Sequence, residues 1–444
     1  MKELTAKLLC VFILIILTQT RLSAQFSLSA QVRVRGELRD GQGAPLPKDS
    51  KPAAFISQRS RLNAGFTGYR LKVGLSLQDV RVWGQDVSQI NKNTTELNNG
   101  LMLHEAWAEI LLSDTADKRS AFSLKLGRQE IIYDDHRLLG NLDWLQQARR
   151  HDALVFKYEH GKWMLHLGAA YNQNKENASG TVYNSNAPGY AATTNGGTMY
   201  KSLQYLYAGK KFEKGDASFL LLSDQFNRYE MQTVEGASVK SFVPGVWTRI
   251  TTGFYYANSF KELALSACAY YQTGKNNTGQ RLDAIMTSLS AQHSFGKISI
   301  GPGVDYTSGG GDATKSKAFD PLYGTAHKFW GYMDYFYAGS PFGKGGLVDY
   351  YLRAKLKSSS RFGMTADYHH FNSATGSERN LGDEIDLVGT YALTKQITIE
   401  GGYSHYFSTA LLTSSAVKNV TDARSSANWA YVMVAIRPAF VFKN

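Results

Sequence analysis

The chain has 444 residues, a formal charge of +12, 41 Gly, 9 Pro and 26 Tyr, with a slightly hydrophilic mean. Soluble chains of this length tend to split in two, but no Pro/Ser-rich tract or block of charge marks a linker, so one domain is expected. The positive balance points to an anionic partner and by itself leaves nucleic acid, acidic solute and lipid surface all open.

Lys2 and Lys7 precede an apolar run from Leu8 to Leu17, and a polar stretch then ends at Leu22-Ser23-Ala24. This is the order of a cleaved export signal over residues 1–24. About ten apolar residues are too few to span a bilayer. Cleavage removes three cations and one acid, which leaves +10 of the +12. It also removes Cys10, so Cys268 stands alone and no intrachain disulfide is available.

From residue 25 the polarity alternates. In "SAQVRVRGELRD", Ser29 to Asp40, the residues Val32, Val34, Gly36 and Leu38 share one parity and Arg33, Arg35, Glu37 and Arg39 the other. An extended strand sends these two sets to opposite faces. Further segments of this kind predict strands near 26–39, 54–67, 70–83, 101–112, 121–131, 152–159, 162–172, 200–212, 217–230, 246–260, 263–273 and 282–294. Six more fall near 298–308, 346–357, 362–371, 382–393, 397–408 and 427–442. Phe329–Tyr337 resembles a strand but would make the count odd, and is placed in a loop. Short turns, such as His160-Gly161-Lys162 and Thr394-Lys395-Gln396, alternate with long stretches at about 84–100, 132–151, 173–199, 231–245, 309–345, 372–381 and 409–426.

No apolar stretch after residue 24 could form a spanning helix. Ten-residue alternating segments, an even strand count and two sorted loop lengths are the pattern of a transmembrane barrel. The expected fold is all-β: residues 25–444 form one antiparallel outer-membrane β-barrel of about 18 strands, with short periplasmic turns and long extracellular loops. Backbone groups inside lipid must all be paired, and a charge on the lipid face costs about 2–4 kcal/mol at the midplane. The charged parity must therefore face inward, and about 18 strands enclose a lumen wide enough for water. Trp83, Trp163, Trp247 and Trp429 suit girdles at the two interfaces.

By parity, Arg33, Arg35, Arg39, Arg59, Arg61, Arg249, Arg353 and Lys355 line the lumen, among interleaved acids such as Glu37, Asp224, Asp305, Asp349, Asp367, Glu384 and Asp386. Guanidinium groups hold carboxylates with paired planar hydrogen bonds, so an arginine ladder would suit a chain of acidic groups. Each such residue could equally brace a neighbouring carboxylate within the wall.

Two stretches carry more than alternation: "LKLGRQEIIYDDHRLLGNLDWLQQARRHDALVFKY", Leu124 to Tyr158, and "FDPLYGTAHKFWGYMDYFYAG", Phe319 to Gly339. With "RVRGELR" near the start, they resemble the alginate-export family of outer-membrane porins. The resemblance implies an 18-stranded barrel whose arginines select an acidic polysaccharide and whose loops act as gates. It implies pathway or loop-anchoring roles for Arg128, Arg137, Arg149 and Arg150. In the second stretch Asp320, His327, Lys328, Trp330 and Asp334 are candidates for a gate, or for an outer loop ordered by its own aromatics.

No nucleophile elbow, P-loop or dinucleotide fingerprint is present, and the histidines lack zinc-ligand spacing. No enzyme activity, cofactor or metal is expected, and no nucleic-acid motif accompanies the basic residues. The reading is a passive channel in the outer membrane of a Gram-negative bacterium, in contact with membrane lipid and passing an acidic saccharide or other anionic solute. It leaves room for periplasmic export or uptake partners. The alternative is a barrel serving as an enzyme scaffold or as a structural, adhesive protein.

Overall fold

The computed structural model describes residues 25–84, 101–114, 119–173, 200–336 and 344–443. The export signal and the loop centres at 85–100 and 174–199 lie outside the described residues.

Eighteen long strands are found among the described residues. They are β1 Gln25–Arg39, β2 Ala53–Gly68, β3 Leu71–Val82, β4 Met102–Leu111, β5 Ser120–Gln129, β6 His151–His160, β7 Trp163–Tyr171, β8 Ser202–Lys211 and β9 Gly215–Val234. The second half comprises β10 Ala237–Phe260, β11 Leu263–Lys275, β12 Arg281–Phe295, β13 Ile298–Thr307, β14 Leu347–Lys357, β15 Phe362–Asn372, β16 Asn380–Ala392, β17 Ile397–Ser408 and β18 Ser426–Ile436. Each pairs antiparallel with the next. Closure joins β1 to β18, from Val32↔Ile436 to Arg39↔Trp429. Pro438 has no N–H to donate and interrupts β18, and pairing with β1 resumes from Ser29↔Ala439 to Gln25↔Lys443. A closed wall leaves no edge strand, the condition for a sheet in lipid.

Parity sorts the faces. Val32, Leu38, Leu165, Leu167, Leu352 and Ile385 are exposed on the outside, while Arg33, Arg35, Glu37, Arg59, Asp349 and Glu384 are buried within. Phe329–Phe336 forms no strand, consistent with an even count.

Two expectations fail. The stretch 231–245, expected as a long connection beyond strand ends at 230 and 246, is a protruding hairpin in which both strands continue. β9 and β10 continue to a tip at Glu235-Gly236, both with positive φ, the backbone that a tight two-residue hairpin turn requires. The register slips between Phe242 and Val246, around Pro244. The girdle reading holds for Trp83 and Trp163, which are exposed, but not for the other two. Trp429 shares its parity with Tyr431 and Met433, is buried, and donates Nε1–H to Glu37 at 3.1 Å. Trp247 pairs with the buried Phe226 on the inward side.

Candidate functional site

Two long outer loops turn into the lumen and meet there. The first follows β5. At Leu142–Ala148 its chain turns tightly, with Leu145 N–H donating to Leu142 O and Ala148 N–H to Leu145 O. A loop buried inside a barrel must satisfy its backbone carbonyls without water, and the arginines of β1 and β2 do this. Arg33 donates to Asp143 O at 2.7 Å, Trp144 O at 3.3 Å, Leu145 O at 3.2 Å and Gln146 Oε1 at 2.9 Å. Arg35 donates to Trp144 O at 2.9 Å and lies 4.2 Å above the Trp144 ring. Asp143 bridges Arg33 at 3.3 Å and Arg59 at 2.8 Å. Arg33, Arg35 and Arg59 are at most 2% exposed, so loop backbone, rather than lumen water, covers them.

The second loop lies between β13 and β14. Leu139 and Tyr323 form a bridge between the loops, Thr325 N–H donates to His136 O at 2.7 Å, and Leu142 N–H donates to Thr325 Oγ1 at 3.0 Å. Arg149, fully buried, spans the junction by donating to Gly140 O at 2.9 Å, Gly324 O at 2.6 Å and Tyr323 O. Arg137 pairs with Asp305 of β13 at 2.5 Å and stacks 3.9 Å from Phe329. Arg249 holds Asp224 at 3.0 and 2.5 Å and Asp320 at 2.7 Å. On the opposite wall, Met333 N–H donates to Glu384 at 2.7 Å and Tyr332 N–H to Asp386 at 3.3 Å. Gly331, at φ +80°, approaches so closely that a Cβ there would collide with the Glu384 carboxylate. The cationic wall grips carbonyls of the first loop; the acidic wall grips N–H groups of the second.

The candidates from Phe319–Gly339 are tied into this constriction. His327 bonds Asp334 at 2.7 Å and stacks on Trp144 at 4.3 Å, almost parallel. Trp330 is 2% exposed. Lys328 is exposed and donates to Asp135 O at 2.9 Å. Residues 337–339 lie outside the described residues. Below the constriction is a cavity of about 410 Å³ lined by Asp143, Trp144, His327, Lys328, Tyr332, Glu400 and Tyr431, among others.

The remaining sequence candidates divide. Arg39 pairs with Glu37 at 2.5 Å, Arg61 bonds Gln78 and lies 4.0 Å from Glu130, and Arg353 pairs with Asp367 at 2.6 Å. All three face inward, as does Lys355, and Arg150 is buried. Arg128 does not fit the lumen. It shares its parity with the exposed Phe122 and Leu126 and pairs with Asp152 at 2.8 Å on the outer face, near the extracellular end of β5, where a charge costs only about 0–1 kcal/mol. Asp143, the counter-ion shared by two wall arginines, was not among the sequence candidates. It lies outside any strand, so no parity points to it.

A third loop backs the second. Its short helix, Ala410–Thr413, buries Leu412, and Lys418 donates to Tyr335 O and lies 5.4 Å from the Phe336 ring. Burial pushes the Lys418 ammonium down to about 7 from the ordinary 10.5. The undocked loop then binds more protons than the docked one between those values, so docking strengthens as pH rises from about 7 toward 10.5. Current recordings are expected to show fewer openings of the constriction at pH 9 than at pH 7, a difference lost in Lys418→Met.

A closed 18-stranded antiparallel barrel narrowed from within by its own outer loops defines an outer-membrane channel of a Gram-negative bacterium. The model of the alginate export family matches residues 24–425, and the chain belongs to that family. No curated protein matches the chain. Solved structures with the same fold include OpdK from Pseudomonas aeruginosa, at 13% identity and TM-score 0.56, covering 94% of this chain and 99% of that one. OccK9 (OpdG) from the same organism shares 14% identity at TM-score 0.58, covering 94% and 98%. OccAB4 from Acinetobacter baumannii shares 12% at TM-score 0.59, covering 95% and 100%.

Proposed function

We propose that this channel passes anionic solutes, acidic oligo- or polysaccharides foremost, by passive diffusion past the two-loop constriction. The observation that carries the reading is a charge imbalance beside the constriction. Five guanidinium groups, Arg33, Arg35, Arg39, Arg59 and Arg61, stand against three carboxylates within 4.0 Å among the described residues, Glu37, Asp143 and Glu130. In a narrow passage with low-dielectric walls such an excess attracts anions strongly. The family's description as alginate exporters, alginate being a polyuronate, supports a carboxylated saccharide as the cargo. Arg33, Arg35, Arg59, Arg137, Arg149 and Arg249 shape the passage by fixing loops. Arg39, Arg61, Arg353 and Lys355 would meet the solute, and Lys328 would stand at the gate.

Reversal potentials across a planar bilayer under a salt gradient test this. Anion preference is expected, and Arg39→Gln with Arg61→Gln should lower the anion-to-cation permeability ratio by roughly threefold to tenfold. A cation-preferring wild-type channel would overturn the reading.

A further inference from the structure

Beneath the constriction, the inward wall changes sign along β14. Asp349 is acidic, Arg353 is neutralised by Asp367, and Lys355 and Lys357 follow toward the periplasmic end. There a second pocket, of about 390 Å³, is lined by Lys297, Lys355 and Lys357 together with Ser294, Ser299 and Thr365, and among the described residues no carboxylate lines it. None of the three lysines is ion-paired among the described residues, unlike Arg33, Arg59, Arg137, Arg249 and Arg353 further in. Charges kept without partners at a protein's wet surface cost little. Three converging on one concave pocket beside hydroxyls make a place where carboxylates and sugar hydroxyls can both be met. Val388 lines both this pocket and the 410 Å³ cavity above it, so a chain held here lies next to Lys328 and the constriction.

We infer that the periplasmic mouth carries a binding site for carboxylated saccharide, with Lys297, Lys355 and Lys357 taking the carboxylates and Ser294, Ser299 and Thr365 the hydroxyls. The inference rests on the acidic-saccharide reading above and adds where in the channel such a chain is held.

The test is calorimetric titration of the purified full-length barrel, in uncharged detergent at low salt, with trigalacturonate. Neutral maltotriose serves as the control ligand. Lys297→Gln/Lys355→Gln/Lys357→Gln is expected to weaken trigalacturonate binding roughly tenfold or more. Lys211→Gln/Lys214→Gln/Lys261→Gln, on periplasmic turns elsewhere around the rim, should leave it unchanged. Retained binding in the first triple variant, or equal loss in both, would overturn the site while leaving the anion-channel reading standing. An anion-preferring channel that binds no trigalacturonate would also overturn it. A cation-preferring wild type would instead remove the reading beneath it.

Discussion

Arg149→Met is expected to open the channel without weakening its wall. The guanidinium of Arg149 is fully buried and donates to the carbonyls of Gly140, Tyr323 and Gly324, joining the first inward loop to the second. Methionine fills much of the same space but donates nothing. Tyr323 O keeps the Gly140 N–H at 3.0 Å, but a dry carbonyl that loses its donor costs about 1–3 kcal/mol, and the loops can recover that cost only by parting and admitting water. A loss of even about 3 kcal/mol shifts a closed-to-open ratio roughly a hundredfold. None of the three acceptors belongs to a barrel strand, so strand pairing and the resistance of the barrel to heat should be retained. Single-channel conductance should rise at least about twofold, and swelling of loaded liposomes should admit larger neutral sugars. Unchanged conductance would mean that the loops are held together by other contacts.

How much of this was legible in the sequence follows from which physical constraint acts where. Lipid forces an alternation with period two, and that alternation is local. Arg33, Arg35, Glu37, Arg59, Arg249 and Arg353 could therefore be assigned to the inner face from their immediate neighbours, and eighteen strands could be counted from turns alone. Parity also held for Trp429, which lies two residues from Tyr431 on the inner face; the girdle assignment rested on residue type and ignored that spacing. The hairpin at Glu235-Gly236 was missed because its exposed strands stand clear of the main wall, where nothing enforces an apolar face.

The constriction was not legible. The carbonyls of Asp143, Trp144 and Leu145 meet Arg33 across more than a hundred residues of sequence, and a backbone carbonyl carries no sequence signal at all. "LDWLQQARR" shows an acid, an aromatic and two arginines, but not that the first caps the wall arginines while Arg149 ties a second loop. Arg128 carries the same lesson: the motif resemblance suggested a pathway or loop-anchoring role, and its two-residue spacing from Leu126 already pointed its side chain away from the pathway.

The two roles available to the wall arginines, holding a loop and attracting an anion, predict different results for lysine and glutamine. Arg33 and Arg59 share Asp143 and together support the turn at residues 142–147. Arg33→Lys/Arg59→Lys keeps both charges but replaces a planar fork of five donors with a compact ammonium that cannot reach several carbonyls at once. Arg33→Gln/Arg59→Gln loses the forks and the charge, and also strands Asp143. Burial alone would raise that carboxyl, but the Arg59 and Arg33 guanidiniums outweigh it and hold it down at about 2. Because its ordinary value is 3.8, the bridge contributes fully above about pH 4 and is lost as pH falls through about 2. Wild-type conductance should accordingly be steady, as far as this bridge is concerned, from pH 7 to about pH 4. In the glutamine variant the carboxylate, whose side chain is 43% exposed, loses both guanidinium partners, so the turn loses its anchor to the wall. Both variants are expected to conduct more than wild type. Only the glutamine variant should lose anion preference, by about tenfold or more in permeability ratio, because two cations are gone and Asp143 faces the passage unpaired. Equal selectivity in the two variants would show that these arginines act on the solute only through the shape they impose on the loop.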